Sequence, residues 1–242
     1  MRTLSLSLLL PLAFSACKKE AVYEPVCTEP TAVSCFDDLL IDLSLQDAVS
    51  GGRVTNTPDG DGWVSTVDAT AGGFGNSANN PWVYVKFTDE GLARVDITDE
   101  DALDSMEWHL AARRFILRLN SGASGPSCVQ AAAIANGDYT ALSAADAEGA
   151  TFFADDYYTE SCDMINDSSG LPGSPQVALA PWWSYPGCVA TTDVPFIVRL
   201  DSGRQLKLIV DQYYGSGQEQ CNSQGAPGND GGEYTLRWSF VD

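Results

Sequence analysis

Apolar and polar side chains alternate along residues 233–240 of the segment EYTLRWSFV (233–241). One side of this run carries Tyr234, Leu236, Trp238 and Phe240. Strict alternation is typical of a β-strand with one face in the core and one face near solvent. Such a strand needs neighbouring strands to satisfy its backbone hydrogen bonds. The pattern therefore predicts a β-sheet.

Two further segments predict hairpins. WVYVKF (82–87) is rich in aromatic and β-branched residues and is followed, after TDEG, by ARVDI (93–97). PFIVRL (195–200) and QLKLIV (205–210) flank a short loop that contains glycine. Short gaps of this kind between strand-forming runs are typical of antiparallel pairs.

Helices are predicted only as short elements. DEDALDSM (99–106) favours a turn or two of helix with Asp99 as N-cap, CVQAAAIAN (128–136) is rich in helix formers, and SAADAEGA (143–150) begins with a capping residue, Ser143. We therefore predict a mainly β protein, built as an antiparallel β-sheet domain with long loops and few short helices.

The N-terminus, MRTLSLSLLLPLAFSACKKE, is typical of a secretory signal peptide: a basic residue, an apolar run too short to span a bilayer, and small residues. FSAC ends at Cys17 and is similar to a bacterial lipobox. We expect residues 1–16 to be removed, residues 17–35 to form a lipidated tether, and residues 36–242 to form a single domain. The alternative is ordinary signal-peptidase cleavage that leaves Cys17 spare.

The remaining cysteines are even in number, which in an exported protein indicates three disulfides. They are Cys27, Cys35, Cys128, Cys162, Cys188 and Cys221. Cys27 and Cys35 are the expected local pair, and the other four are left unassigned. No C-x-x-C spacing exists, so a thiolate metal site is disfavoured.

The formal net charge is −20, from 13 Lys and Arg against 33 Asp and Glu. This charge repels nucleic acid, which excludes nucleic-acid partners. Acid-rich loops at 59–62, 96–104 and 163–170 leave a calcium site possible, although the EF-hand spacing is absent. The alternative is that these acids only keep the protein soluble.

Four segments taken in order resemble one family. They are WVYVKFTDEGLARVDI, MEWHLAARRFILRLNSGASGPS, PFIVRLDSGRQLKLIVDQYY and GEYTLRWSF, spread over residues 80–242. Together with the lipobox-like sequence that precedes them, these four segments are similar to those of the HmuY-like family of haem-binding bacterial surface lipoproteins. The resemblance implies an antiparallel β fold with long loops. It also implies capture of haem or another tetrapyrrole outside the cell, transfer to an outer-membrane transporter, and axial clamping of the iron by His pairs or Met.

The only histidine, His109, departs from that pattern. One histidine cannot make a bis-His site, and the family's Trp-led strand usually carries Asp in this slot. The apolar phase shifts between Ala112 and Phe115, which predicts a bulge or a strand break. This shift leaves His109 ambiguous between core and surface, and we interpret it as a structural or solvated strand residue rather than an iron ligand.

The segment 137–193 is loop-like yet rich in aromatic residues, and we expect a binding site there. The haem-binding candidates in it are Met164, Tyr157, Tyr158, Trp182 and Trp183. Thioether sulfur is a haem-iron ligand, phenolates can ligate iron, and rings can stack on a porphyrin. Each of these side chains is also compatible with simple core packing.

Haem propionates are anionic, so a haem site in this acidic chain needs local positive charge. The densest basic cluster is Arg113, Arg114 and Arg118. No G-x-S-x-G elbow or other catalytic constellation is present, so we expect no enzyme.

The leading hypothesis is a lipid-anchored haem-binding protein of the outer membrane or cell surface of a Gram-negative bacterium. One alternative is a protein of the same fold without haem ligation that binds another ligand or a protein partner. The other is a calcium-binding surface or adhesion protein.

Overall fold

The secondary structure is dominated by strands in a computed structural model that describes residues 24–35, 45–70, 79–171 and 173–241. Those residues form twelve strands: β1 (Val54–Asp59), β2 (Gly62–Asp68), β3 (Val83–Thr88), β4 (Gly91–Val95), β5 (Leu110–Arg113), β6 (Ile116–Leu119), β7 (Gln130–Ala133), β8 (Trp183–Ser184), β9 (Ala190–Thr191), β10 (Phe196–Arg199), β11 (Gln205–Tyr214) and β12 (Gly231–Phe240). They also form two α-helices, α1 (Asp99–Ala102) and α2 (Glu219–Gln224), and short 3-10 helices at Tyr139–Ala141, Ala144–Ala147 and Ala180–Trp182.

The strands form antiparallel sheets. The larger sheet has six strands in the order β1-β2-β12-β11-β10-β7, and a second sheet has four in the order β4-β3-β5-β6. β8 and β9 form a separate two-stranded pair. Every pairing between these strands is antiparallel, which confirms the predicted fold class.

The predicted hairpins are confirmed. β3 and β4 pair with Thr88 opposite Gly91, and β10 and β11 pair with Arg199 opposite Gln205. β12 lies inside the larger sheet, between β2 and β11, with Tyr234 and its apolar partners two and four residues on fully buried.

The two larger sheets share one apolar core. The rings of Phe87 in β3 and Trp238 in β12 meet edge to face with centroids 4.9 Å apart. The same cluster of buried side chains includes Leu117 from the smaller sheet and Val198 from the larger one. Burial of this apolar surface is the main term that stabilises the domain.

The shift in the apolar pattern between Ala112 and Phe115 corresponds to a tight turn. Arg113 pairs with Ile116 across the β5–β6 hairpin, and Arg114 in the turn has a φ of 50°. The two strands on either side of the turn are separate elements, so the strand-break interpretation of the shift is confirmed.

One helix prediction was wrong. Residues 130–133 form β7, which pairs with β10 through Ala131 opposite Val198. The alanines of this run favour a helix in isolation, but the open edge of β10 and the bonds of Ala131 to Phe153 offer a sheet environment instead.

The other two helix predictions hold in shorter form. Thr98, not Asp99, is the N-cap of α1, since its side chain accepts the N–H of Asp101. Ser143 begins a capping box with Asp146, as its character predicts, but the helix is of the 3-10 type and ends at Ala147.

The six cysteines of the described residues form three disulfides, as their number predicts. The pairs are Cys27–Cys128, Cys35–Cys162 and Cys188–Cys221. The predicted Cys27–Cys35 pair is therefore wrong. Closeness in sequence did not decide the pairing, because each of these two cysteines is bonded to a cysteine more than a hundred positions away.

The segment 24–35 is bonded to the body of the domain by more than its disulfides. The N–H of Val26 donates to the carbonyl of Asp201, and that of Thr31 donates to the carbonyl of Pro126. The predicted signal peptide and Cys17 lie outside the described residues. In the part of the chain that is described, no helix has the length and apolar character needed to cross a membrane.

Replacing both Cys27 and Cys128 with Ala is expected to lower the free energy of unfolding by about 2–4 kcal/mol. The bond joins residues 101 positions apart, so its loss frees a long stretch of the unfolded chain. Guanidinium chloride unfolding of the variant and the parent measures the change. Mass mapping of unreduced peptides is the companion test, and a peptide linking Cys27 to Cys35 would contradict the pairing.

Candidate functional site

Three of the sequence-predicted ligand residues lie in the core. Tyr157 is 0% exposed, Trp182 is 1% exposed and Trp183 is 6% exposed. Trp182 packs edge to face on Tyr234 of β12, with ring centroids 5.4 Å apart. The faces of these three rings are covered by protein in this structure, so each contributes to packing here.

Tyr158 and Met164 form a different pair. They lie directly opposite each other in an isolated antiparallel bridge, and both are half-buried against the core. Directly opposite residues of such a bridge have their side chains on the same side. The thioether and the phenol therefore stand side by side, and this arrangement cannot clamp a flat macrocycle from its two faces.

The open cavity of the region lies on the other side of the 163–167 stretch. It has a volume of about 770 Å³, within the range of small-molecule sites, and we call it the Phe153 groove. Its apolar lining includes Phe152, Phe153, Ile165, Val177 and Pro181. Its polar lining is Gln130, Asp156, Asn166, Asp167, Ser168 and Gln176.

Phe153 is displayed in this groove by backbone pairing. Its N–H donates to the carbonyl of Ala131 at 2.9 Å, and its carbonyl accepts the N–H of Ala131 at 3.0 Å. The side chain is nonetheless 59% exposed. A large apolar ring that is held rigidly and still faces water is a feature of binding surfaces.

Extended backbone explains why the groove contains Ile165 rather than Met164. The N–H of Ile165 donates to the carbonyl of Tyr157 at 2.7 Å, and the carbonyl of Ile165 accepts the N–H of Gln176 at 2.9 Å. Successive side chains of an extended segment point to opposite sides. Met164 consequently packs against the core while Ile165 faces the groove.

The buried carboxylate of Asp155 fixes the groove wall. It accepts the N–H of Leu119 at 2.7 Å, the hydroxyl of Ser124 at 2.7 Å and the N–H of Ala178 at 2.8 Å. Its neighbours in sequence, Ala154 and Asp156, line the groove, and so does Ala178. Burial raises the pKa of Asp155 to about 6, and the three hydrogen bonds and the charge of a nearby arginine oppose the rise.

Asp99 is a second buried carboxylate, at the start of α1. It accepts the N–H groups of Gln46 at 2.8 Å and Trp82 at 2.9 Å, and the hydroxyl of Tyr84 at 3.2 Å. Burial raises its pKa to about 6. Its acceptor capacity is used within the fold, although its loop is one of the three acid-rich loops considered for calcium.

His109 is part of the fold rather than of the groove. It is 3% exposed, its Nδ1 accepts the N–H of Phe87 at 3.1 Å, and its Nε2 lies 3.4 Å from a carboxylate oxygen of Asp201. Both ring nitrogens therefore have partners, which agrees with the structural interpretation of this residue. Because Asp201 also accepts the N–H of Val26, His109 helps to anchor the N-terminal segment.

The densest basic cluster of the sequence is mostly buried. Arg113 and Arg118 are buried, and their guanidinium carbons lie 4.5 Å and 3.8 Å from the centroid of the Trp82 ring. Arg114 is half-buried in the β5–β6 turn, with its guanidinium 5.7 Å from the Phe115 ring. Only Arg114 is therefore partly accessible to solvent, because β5 and β6 are buried on both faces.

Metal sites are not formed by the residues that the structure describes. No group of three or more His, Cys, Asp or Glu side chains among them is arranged to hold a metal ion. In the acid-rich loop at 163–170, the carboxylate of Asp167 accepts hydrogen bonds from Ser169 and Ser174. That carboxylate stabilises its own loop.

The sequence predicted the region of the groove but missed its main residues. Phe153 and Ile165 lie within the aromatic segment, next to or near the chosen candidates. The alternation between Met164 and Ile165 could have indicated that only one of them faces a site. Nothing local in the sequence indicates that Phe153 pairs with Ala131, twenty-two positions earlier.

The raised pKa values of Asp99 and Asp155 predict an unusual pH dependence. Each folded-state pKa of about 6 exceeds the ordinary value of 3.8, so the folded protein binds these protons more tightly than the unfolded chain. The stabilisation is complete below about pH 4 and is lost as the pH rises through about 6. The free energy of unfolding is expected to fall over this window by up to about 1.4 kcal/mol per pH unit for each group.

Urea unfolding between pH 4 and pH 7.5 measures this slope. Asp155→Asn removes one titrating group and is expected to flatten it. Asp230→Asn, which removes an exposed acid at a position of positive φ, is the matched charge control and is expected to leave the slope nearly unchanged. An Asp155→Asn variant with the parental slope would contradict the assignment.

Comparison with known proteins places the chain among relatives of low identity. A candidate lipoprotein from Bacteroides fragilis is 18% identical with a TM-score of 0.45, over 77% of this chain and 94% of that one. A candidate HmuY-like haem-binding protein from Bacteroides vulgatus is 18% identical with a TM-score of 0.45, over 81% of this chain and 99% of that one. An apo HmuY analogue from Tannerella forsythia is 13% identical with a TM-score of 0.36, over 82% and 98%.

No curated protein matches the sequence. A family model described as HmuY protein matches residues 78–224. This match includes the β3–β4 and β10–β11 hairpins, the Phe153 groove and the first three of the four segments that carry the resemblance, and it spans more than half of the chain. The protein therefore belongs to the HmuY family.

Proposed function

We propose that the protein is a binding protein, not an enzyme, that captures haem or a related tetrapyrrole in the Phe153 groove. One observation carries the proposal: Phe153 is held by two backbone hydrogen bonds and yet is 59% exposed in a cavity of about 770 Å³. A flat apolar ligand gains by covering such a ring. Family membership supports the same ligand class, because the resemblance to HmuY-like proteins implies haem capture.

The groove supports binding by the porphyrin ring rather than by the iron. Among its described lining residues there is no His, Met, Cys or Tyr side chain, the groups that commonly ligate haem iron. The ring would lie on Phe153 and Ile165, with the polar groups of the groove at its edges. Affinity would then come from apolar contact and edge contacts.

Ligation of the iron by Met164 is the second candidate mode. Met164 is half-buried beside Tyr158, on the opposite side of the 163–167 stretch from the groove. Its thioether could supply one axial ligand to a haem bound on that side. The two modes differ in their dependence on iron, so one set of titrations distinguishes them.

The titrations use haemin and metal-free protoporphyrin IX with the purified protein. Binding in the groove predicts that the two ligands bind with affinities within a few-fold of each other. Phe153→Ala is expected to weaken both roughly tenfold, since a ring contact of this kind contributes on the order of 1.4 kcal/mol. Tyr185→Ala, which removes an exposed ring outside the groove lining, is the control and is expected to change neither.

The Soret band of haemin and the emission of protoporphyrin report binding. A haemin affinity far above that of protoporphyrin, lost in Met164→Ala and kept in Phe153→Ala, would replace the groove mode with ligation by Met164. Absence of saturable binding of either ligand would reject tetrapyrrole capture. It would leave the alternative of another ligand or a protein partner on the same groove.

We further propose that the protein acts at the outer surface of the cell, anchored by a lipid on Cys17, and passes its ligand to an outer-membrane transporter. The lipobox-like FSAC sequence supports the anchor. The three disulfides support export, because such bonds persist in oxidising compartments.

Anchoring predicts a simple outcome for Cys17→Ala. In cells labelled with a radioactive fatty acid, the parent is expected to carry label in the membrane fraction, while the variant carries none and leaves that fraction. The six other cysteines lie in disulfides, so they do not compete for the label. Equal labelling of the two proteins would reject Cys17 as the acylated residue.

A further inference from the structure

Arg199 is an unusual cation for this chain. It ends β10, is half-buried, and its guanidinium carbon lies 3.9 Å from the centroid of the Phe152 ring. The structure gives it no acidic partner among the described residues, although the sequence has 33 Asp and Glu against 13 Lys and Arg. By contrast, Arg94, Arg204 and Arg237 each pair with an aspartate.

The position of Arg199 relates it to the Phe153 groove. Arg199 lies directly opposite Gln130 in the antiparallel pairing of β10 with β7, so the two side chains are on the same side of the sheet. Gln130 and Phe152 both line the groove. Arg199 is not itself a lining residue, but its guanidinium lies over the ring of one lining residue and on the same side of the sheet as the side chain of another, next to the β7 end of the groove.

Stacking on the Phe152 ring orients the Arg199 guanidinium so that its edge can bind a planar anion. The face of the group is occupied by the Phe152 ring, which limits its rotation and leaves the N–H groups at its edge directed outward. An arginine edge fixed in this way matches the two oxygens of a carboxylate. Gln130 adds a neutral hydrogen-bonding amide next to it.

The lining of the groove itself is acidic. No Lys or Arg is among its described lining residues, and Asp156 and Asp167 contribute carboxylates. An anionic group is therefore favoured only at the Arg199 end. The exposed apolar side chains Phe153 and Ile165 suit the uncharged part of a ligand.

We infer that Arg199 recognises a carboxylate on the ligand of the Phe153 groove. The ligand class is an apolar ring system with a carboxylate at one edge, and for haem that group is a propionate. This inference rests on the proposed function and deepens it, because it gives the bound ligand an orientation.

The test compares protoporphyrin IX with its dimethyl ester, which keeps the ring and lacks free carboxylates. The whole protein is titrated with each and porphyrin emission is followed. The parent is expected to bind the diacid roughly tenfold more tightly than the diester, the lower end of the effect of a hydrogen bond to a charged group.

Arg199→Gln is expected to lose that tenfold preference by weakening only the diacid. Arg199→Lys is expected to keep part of it, because the charge remains without the planar fork. Arg53→Gln, which removes an exposed cation outside the groove lining, is the matched control and is expected to behave as the parent.

The outcomes separate the two proposals. Equal binding of diacid and diester, with no effect of Arg199→Gln, would overturn the carboxylate inference and leave tetrapyrrole capture intact. Equal weakening of both ligands in Arg199→Gln would assign Arg199 a purely structural role and also overturn the inference. Failure of both porphyrins to bind the parent would reject the proposed function and the inference with it.

Discussion

The buried carboxylate of Asp155 is the constraint on which the groove depends. A fully buried anion is tolerated only when donors surround it, and here the donors come from β6, from the turn after it and from residue 178. Residues 119–124, 155 and 178, which are far apart in sequence, must therefore meet at one point. The residues on either side of Asp155 become the floor of the cavity as a consequence, so its shape is set by the core and not by the loops alone.

The buried charges of this core form a connected set around Trp82. The guanidinium groups of Arg113 and Arg118 lie over its ring, and their charges oppose the burial that raises the pKa values of Asp99 and Asp155. Buried ion pairs of this kind add little net stability over apolar packing, but removing one partner is costly. We infer that these buried charged side chains specify one arrangement of the loops, since any other arrangement would leave a buried charge unpaired.

The sequence predicted those features that local patterns determine. Alternation identified the strand at 233–241, and glycine-containing gaps identified the two hairpins, because burial of one face and tight turns are encoded within a few residues. The Cys27–Cys35 pair and the helix at 128–136 were wrong for a common reason. The actual structure at each place depends on partners about twenty to more than a hundred positions away. Cysteine spacing and helix propensity carry no information about such distant partners.

For the site, too, local sequence patterns predict some features, while others depend on residues distant in sequence. The aromatic segment was predicted to hold a binding site, and its rings divide between core and groove according to pairings with β7 and the 174–176 stretch. Charge shows the same limit: within the dense cluster at 113–118, Arg113 and Arg118 are buried and Arg114 is half-buried, while Arg199 lies over the Phe152 ring next to the groove because β10 lies beside β7. In a chain with a net charge of −20, a guanidinium that has no carboxylate partner among the described residues has more influence on an anionic ligand than several that are already paired. Its stacking on Phe152 joins the apolar and the charged parts of the groove into one recognition surface.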